Sequence, residues 1–167
     1  MWIGLCKRIS ALLVIAPLLS AQAQNTAMLR LSQPDSPAIL VRTLHGKDFL
    51  QSATLKNVGT VPITGYRIGW VEVYPEKMAN YGAYQRAMLG GKDKIGLGYR
   101  VDVPEGIDPM KTTDVPAQGV SDCSSWEGAT AVVFFVAEVR TATGTVWKAD
   151  LDKAEDEARK MAETTFR

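Results

Sequence analysis

The sequence predicts a mostly β fold, an antiparallel β-sandwich followed by a C-terminal α-helix. Short apolar segments alternate with turns rich in glycine and proline between residues 38 and 149, which is typical of packed antiparallel sheets. Residues 150–167 then change to a helical pattern, in which acidic residues come first and basic residues follow. We therefore expect one sandwich domain over residues 38–149 and one helix over residues 150–167.

Residues 1–23 have the features of a secretory signal peptide. Lys7 and Arg8 precede an apolar run over residues 9–19, and Ala21-Gln22-Ala23 places small residues where a signal peptidase cleaves. The apolar run is shorter than the about 20 residues that cross a bilayer, which argues against the alternative of an uncleaved anchor. We expect cleavage after Ala23, a secreted or periplasmic protein, and no transmembrane segment in the mature chain.

The charge balance of the mature chain argues against nucleic acid as a partner. Two of the 19 Lys and Arg residues lie in the signal peptide, so 17 remain against 18 Asp and Glu. Binding to nucleic acid usually requires a basic face. Cys6 also lies in the signal peptide, which leaves Cys123 as the only cysteine of the mature chain and excludes an intrachain disulfide.

The first half of the mature chain predicts an arm and three strands. Residues 24–37 are polar and contain two prolines, which indicates a linker or N-terminal arm. The strands are predicted at residues 38–44, 49–56 and 63–74, with turns at residues 45–48 and 57–62.

The third of these strands has apolar residues on both faces. One face carries Tyr66, Ile68 and Trp70, and the other carries Val71 and Val73. We expect a bulge or sharp twist at Gly65 or Gly69, where the buried face of the strand would change. Trp70 takes the place of the buried core tryptophan of a sandwich.

The second half of the chain ends in a hairpin and a helix. Residues 75–98 are irregular, residues 99–103 form a strand, and residues 104–128 form loops with one short strand. Residues 131–140 and 145–148 pair across a turn at residues 141–144. Asp150 is a good N-cap, and the apolar stripe of the helix consists of Leu151, Ala154, Ala158 and Met161.

Two segments carry a resemblance to a known class of domains. Residues 55–66 contain a strand, the Asn57-Val58-Gly59 turn and an apolar strand, and residues 135–139 with 144–147 form a final hairpin. This arrangement resembles secreted bacterial immunoglobulin-like domains of the FxLYD and CARDB types. The resemblance implies an immunoglobulin-like antiparallel β-sandwich in an exported protein, and it provides no catalytic residue.

The candidates for chemistry are few. His45 is the only histidine and lies in a His-Gly turn, which is typical of an exposed loop residue. Cys123 has the acidic neighbours Asp122 and Glu127, which disfavour a reactive thiolate. A small secreted hydrolase that uses scattered carboxylates or Cys123 is the alternative function. We assign no catalytic, cofactor-binding or metal residue and expect no cofactor.

A first candidate interaction surface lies on the strand at residues 131–140. Its core face is predicted to consist of Val133, Phe135, Ala137 and Val139. The opposite face then consists of Val132, Phe134 and Val136. An apolar patch of this kind is unusual on a soluble monomer, so either the C-terminal helix or a partner should cover it.

A second candidate surface consists of tyrosines that flank the irregular segment, namely Tyr74, Tyr81, Tyr84 and Tyr99. Tyrosine is enriched at binding surfaces because it combines a large contact area with a hydroxyl group. The leading hypothesis is an exported, non-enzymatic β-sandwich that binds a protein or a cell-envelope component.

Overall fold

The computed structural model describes residues 26–45, 50–75, 92–116, 126 and 128–165. The elements within these ranges are β1 (Ala27–Arg30), β2 (Ala38–His45), β3 (Leu50–Asn57), β4 (Ile63–Val73), β5 (Lys94–Ile107), β6 (Thr112–Val115), β7 (Ala131–Thr141), β8 (Val146–Lys148) and helix α1 (Leu151–Thr165). The predicted signal peptide lies outside the described residues.

The strands form two sheets that pack face to face. The first sheet has the order β5-β4-β7, and the far edge of β7 pairs with both β1 and β8. The second sheet has the order β2-β3-β6. The first sheet corresponds to strands C′-C-F-G of an immunoglobulin-like sandwich, with β1 added, and the second sheet corresponds to strands A-B-E. The predicted fold class, a sandwich followed by a helix, is confirmed.

The far edge of β7 is completed by three different parts of the chain. Strand β8 covers only residues 138–140 of β7, because the backbone leaves the sheet after the hydrogen bond from Ala149 N to Ala137 O (3.0 Å). Strand β1 pairs in parallel with residues 131–134. Between them, the side-chain amide of Gln33 accepts from Val136 N (2.8 Å) and donates to Val136 O (3.0 Å). Part of the predicted N-terminal arm is therefore ordered against the sheet, which the sequence analysis did not expect.

The sandwich core lies between the two sheets and contains the predicted aromatic face of β4. Tyr66, Ile68 and Trp70 are buried there, which confirms the predicted phase of that strand. The indole ring of Trp70 lies over Gly96 of β5, where an added Cβ would come within 2.0 Å of the ring. A side chain at position 96 would thus displace the core tryptophan.

Strand β4 is buried on both faces. Val71 and Val73 pack in a second apolar cluster against α1. The register of β4 shifts between Ile63 and Gly65 and again at residues 67–69, so the predicted irregularity at Gly65 and Gly69 is confirmed. The predicted change of the buried face does not occur beyond Gly65: Tyr66, Ile68 and Trp70 face the second sheet, while Val71 and Val73 on the opposite face meet the helix.

Strand β7 shows the opposite phase from the one predicted over residues 131–137, whereas Val139 lies in the sandwich core as predicted. Val132, Phe134 and Val136 are fully buried in the sandwich core, so they do not form an interaction surface. The face under α1 instead consists of Ala131, Val133, Phe135 and Ala137. The expectation failed because both faces of β7 are apolar, and alternation then does not show which face meets the other sheet.

The C-terminal helix covers the outer face of β7, but this face carries Val133 and Phe135 and is not the face for which a cover was predicted. Its N-terminus is capped by Asp150, whose Oδ1 accepts a hydrogen bond from Lys153 N (3.1 Å). The buried stripe consists of Ala154, Ala158 and Ala162. These small side chains allow the helix to approach the sheet closely. Leu151, which was predicted in the stripe, is 37 % exposed.

Strand β5 is much longer than predicted. It runs from Lys94 through Pro104 to Ile107, whereas the strand was predicted only over residues 99–103, with residues 75–98 irregular. The strand lies at the edge of its sheet, and its register with β4 is irregular between Asp102 and Ile107. Proline is tolerated at such a position because the missing N–H is not needed for pairing. Strand β6 is the short strand expected within residues 104–128.

Candidate functional site

A buried polar cluster surrounds Glu72 near the end of β4. The side chain of Glu72 is fully buried. Its Oε1 accepts from Trp70 Nε1 (3.2 Å) and lies 3.3 Å from Lys94 Nζ, and its Oε2 accepts from Tyr74 OH (2.6 Å). Three donors thus occupy the carboxylate and shield it from solvent.

The position of Glu72 follows from strand geometry. Because successive side chains of a strand point to opposite faces, residues 70, 72 and 74 share one face, and Glu72 lies directly opposite Lys94 of β5. Cross-strand pairs of opposite charge stabilise a sheet, and donors on both oxygens offset the cost of burying the carboxylate. The Trp-x-Glu-x-Tyr pattern at residues 70–74 places the three side chains on one face, but it does not identify Lys94, because that contact depends on the pairing of β4 with β5.

A second buried carboxylate joins the helix to the sheet. Asp93 Oδ1 lies 2.6 Å from Arg159 Nη2 and accepts a hydrogen bond from Tyr74 N (3.1 Å). Asp93 N donates to Glu155 Oε1 (2.8 Å). These contacts connect two side chains of α1 to the junction between β4 and β5, so the cluster fixes the helix on the outer face of the sheet.

The outer face of the first sheet carries a row of four charged residues. Arg100 lies opposite Arg67, Arg67 lies opposite Glu138, and Glu138 lies opposite Lys148. Residues that are directly opposite in antiparallel strands share a face of the sheet. The row, which we call the charged row, therefore runs across β5, β4, β7 and β8.

A groove with a volume of about 180 Å³ lies between the charged row and the beginning of α1. Leu97 and Leu151 line it and are 38 % and 37 % exposed. Ala137 and Ala149 complete its apolar lining, and all four members of the charged row contribute to it. We call this cavity the β5 groove.

The charges along the β5 groove do not balance. Arg100 Nε lies 3.1 Å from Glu138 Oε1, and this pair neutralises one cation. Arg67 Nε donates to the backbone oxygen of Gly98 (2.6 Å). Within the described ranges, no carboxylate oxygen lies within 4.0 Å of the charged nitrogens of Arg67 or Lys148. The groove therefore combines an apolar floor with an excess of positive charge.

A second groove of similar volume, about 180 Å³, lies on the other side of the connection between β8 and α1. Trp147 and Gln33 line it, and its charged residues are Asp35, Lys148, Asp150, Lys153 and Glu157. Asp150 caps the helix, and Lys153 Nζ lies 4.0 Å from Glu157 Oε1. Three of its five charged residues, Asp150, Lys153 and Glu157, thus interact with other groups of the protein, so the β5 groove is the better candidate for binding.

The predicted surface tyrosines do not form one site. Tyr74 is buried and bonded to Glu72, whereas Tyr99 is 57 % exposed on the edge strand β5. Tyr81, Tyr84 and Cys123 lie outside the described residues, and the described part of His45 is the backbone at the end of β2. Sequence reasoning missed the β5 groove because its residues lie far apart in the chain and meet only through strand register.

Tyr66 lies in the core and has a perturbed titration. Burial raises the pKa of its hydroxyl from 10.0 to about 12 because desolvation penalises the phenolate. The hydroxyl therefore stays neutral at physiological pH and supplies no charge to either groove.

Comparisons with protein-family models, with curated proteins and with solved structures found no significant match. Among the residues that the structure describes, no helix combines the length and apolar character needed to cross a membrane. The same ranges contain no group of three or more His, Cys, Asp and Glu side chains arranged to hold a metal ion.

Proposed function

We propose that this chain is an exported, non-enzymatic binding domain that recognises a protein component of the cell envelope through the β5 groove. The observation that carries the proposal is the groove itself. It is an exposed apolar surface, formed by Leu97 and Leu151, with the unbalanced charged row along one side. Apolar contact area with a polar, charged rim is the usual composition of a recognition surface.

Two further observations support binding over catalysis. The carboxylates of Glu72 and Asp93 are buried and engaged by donors of the fold, so they support a structural role rather than the hydrolase alternative. The signal-peptide pattern at residues 1–23 supports an envelope or extracellular partner.

The test uses three substitutions of exposed apolar residues by aspartate. Leu97→Asp and Leu151→Asp place a carboxylate in the groove, and Met110→Asp is the control in a turn outside the groove lining. Leu151→Asp is suited to this purpose because an acidic residue in the first turn of a helix favours the helix dipole. Envelope protein captured by the purified wild-type chain is identified, and its Kd is then measured for each variant.

We expect both groove variants to weaken the Kd at least tenfold, because each would remove a central apolar contact worth more than about 1.4 kcal/mol. Met110→Asp should leave the Kd unchanged. Urea denaturation of each variant establishes that the fold is retained. Equal affinity of all three folded variants would show that the partner binds elsewhere.

A further inference from the structure

We infer that the β5 groove binds an acidic peptide segment that inserts one aliphatic side chain. This inference rests on the proposed function and specifies its ligand. It follows from three properties of the groove: its excess of positive charge, its exposed leucines and its size.

The charge of the ligand follows from the charged row. Arg67 and Arg100 lie directly opposite each other in adjacent strands, an arrangement in which like charges repel. Glu138 pairs with Arg100, whereas Arg67 and Lys148 have no carboxylate within 4.0 Å in the described part of the chain. A ligand carboxylate beside Arg67 would offset its repulsion with Arg100, and a carboxylate beside Arg67 or Lys148 would form charge-assisted hydrogen bonds.

The apolar part of the ligand follows from the two leucines and the volume. Leu97 and Leu151 come from different elements, β5 and α1, and line the same groove. A volume of about 180 Å³ is smaller than the roughly 300–1,000 Å³ typical of pockets for small molecules. It suits a single aliphatic side chain presented by a larger partner.

The surroundings of the groove favour a peptide over a polyanion. Acidic side chains lie on the same face or beside it: Asp102 pairs with Arg140, and exposed Asp152 pairs with Lys92. A densely charged lipid surface or nucleic acid would meet these carboxylates as well as the cations. A short segment with one or two carboxylates next to a leucine matches the limited excess of positive charge.

The test measures binding of labelled peptides to the purified protein by fluorescence anisotropy. The reference peptide carries leucine flanked by aspartate and glutamate. A second peptide replaces the acids by their amides, and a third replaces leucine by serine. Vesicles of phosphatidylcholine and phosphatidylglycerol in equal parts test the lipid alternative.

Variants then locate the contact. Lys148→Gln removes a cation of the charged row that lines both grooves, so Leu97→Asp, which lies in the β5 groove only, is measured beside it. Lys111→Gln removes an exposed lysine outside both groove linings. We expect Lys148→Gln to weaken binding of the reference peptide about fivefold to tenfold, the effect of one charged contact at a partly exposed site. Lys111→Gln should change it less than twofold, and added salt should weaken binding by the wild type.

The outcomes separate the ligand class from the function. Selective binding of the reference peptide that depends on Lys148 supports the inference. Equal binding of the amide peptide, binding to the vesicles alone, or no binding at about 1 mM peptide would overturn it. If the peptides fail while Leu97→Asp still abolishes capture of an envelope protein, the ligand class is wrong and the proposed function stands.

Discussion

Asn57 is the residue at which the structure makes its most specific prediction about stability. This side chain ends β3 and is fully buried. Its Nδ2 donates to the backbone oxygens of Val61 (2.9 Å) and Ile107 (2.7 Å), and its Oδ1 accepts from Gly59 N (2.9 Å). One amide thus holds the turn between the two sheets and the end of β5 at the same time.

Asn57→Ala should destabilise the protein by about 2–3 kcal/mol. The hydrogen bonds to Val61 O and Ile107 O contribute about 1 kcal/mol net each, and the bond from Gly59 N contributes less because Gly59 N also donates to Pro37 O (3.0 Å). Asn57→Asp is the matched control. It retains an acceptor for Gly59 N but places a second carboxylate oxygen against two carbonyl oxygens, so it should cost more than alanine at neutral pH.

The assay is equilibrium denaturation in urea, with the slope of the transition compared between variants. The aspartate variant should regain stability as the pH falls, because a protonated acid can donate to one of the two carbonyls. A loss below about 1 kcal/mol for Asn57→Ala, with an unchanged slope, would refute the account, since it would mean that water replaces the amide at little cost.

Five further predictions concern the core, the buried carboxylate, two turns and the titration of Tyr66. Trp70→Ala should cost about 3–5 kcal/mol in urea denaturation, the range for a core aromatic, whereas a peripheral role would show as a loss under about 1 kcal/mol. Glu72→Ala should cost about 3–5 kcal/mol because it leaves buried donors without an acceptor, and Glu72→Gln, the matched variant, should cost clearly less; equal losses would argue against a hydrogen-bonding role. Met110 has a φ of 66° at the third position of a turn, so Met110→Gly should raise the thermal midpoint. Gly144 has a φ of 83°, and nothing lies within 4 Å of a Cβ added there. Gly144→Ala should therefore lower stability by about 1 kcal/mol through backbone strain alone. Burial raises the pKa of Tyr66 in the folded protein to about 12, whereas the pKa in the unfolded chain is about 10. The stability that this difference provides is present below about pH 10 and is lost as the pH rises towards about 12, because the unfolded chain releases the proton first. Tyr66→Phe should remove this alkaline loss in denaturation curves, and an identical pH profile would contradict the prediction.

The sequence predicted the elements of this fold better than their orientation. Turns and periodicity located β2, β3, β4, the final hairpin of β7 and β8, and the helix that Asp150 caps, whereas β1 lies in the segment that was predicted to be a linker or arm. The two faces of β7 were interchanged, because both are apolar and the distinction depends on packing partners that are distant in the sequence. The length of β5 was missed because Pro104 usually ends a strand, yet an edge strand tolerates it.

The candidate site was beyond sequence reasoning for a related physical reason. Arg67, Arg100, Glu138 and Lys148 form one row only because three strand pairings align them. A one-residue change in any of these registers would place a side chain on the opposite face. Charge composition, which is close to neutral for the whole chain at +1, also conceals a local excess of positive charge.

The short final strand connects the architecture to the proposed site. Because β8 ends at Lys148 and the chain turns out of the sheet at Ala149, α1 can lie on the outer face of β7, and the edge that β8 leaves is filled by β1 and Gln33. The same departure leaves a step between the helix and the charged row, and this step is the β5 groove. A longer β8 would continue the sheet and remove the groove. It would also displace Gln33 and β1 from the edge of β7 and carry α1 away from Val133 and Phe135, so the end of β8 at Lys148 determines both the groove and the packing of the helix.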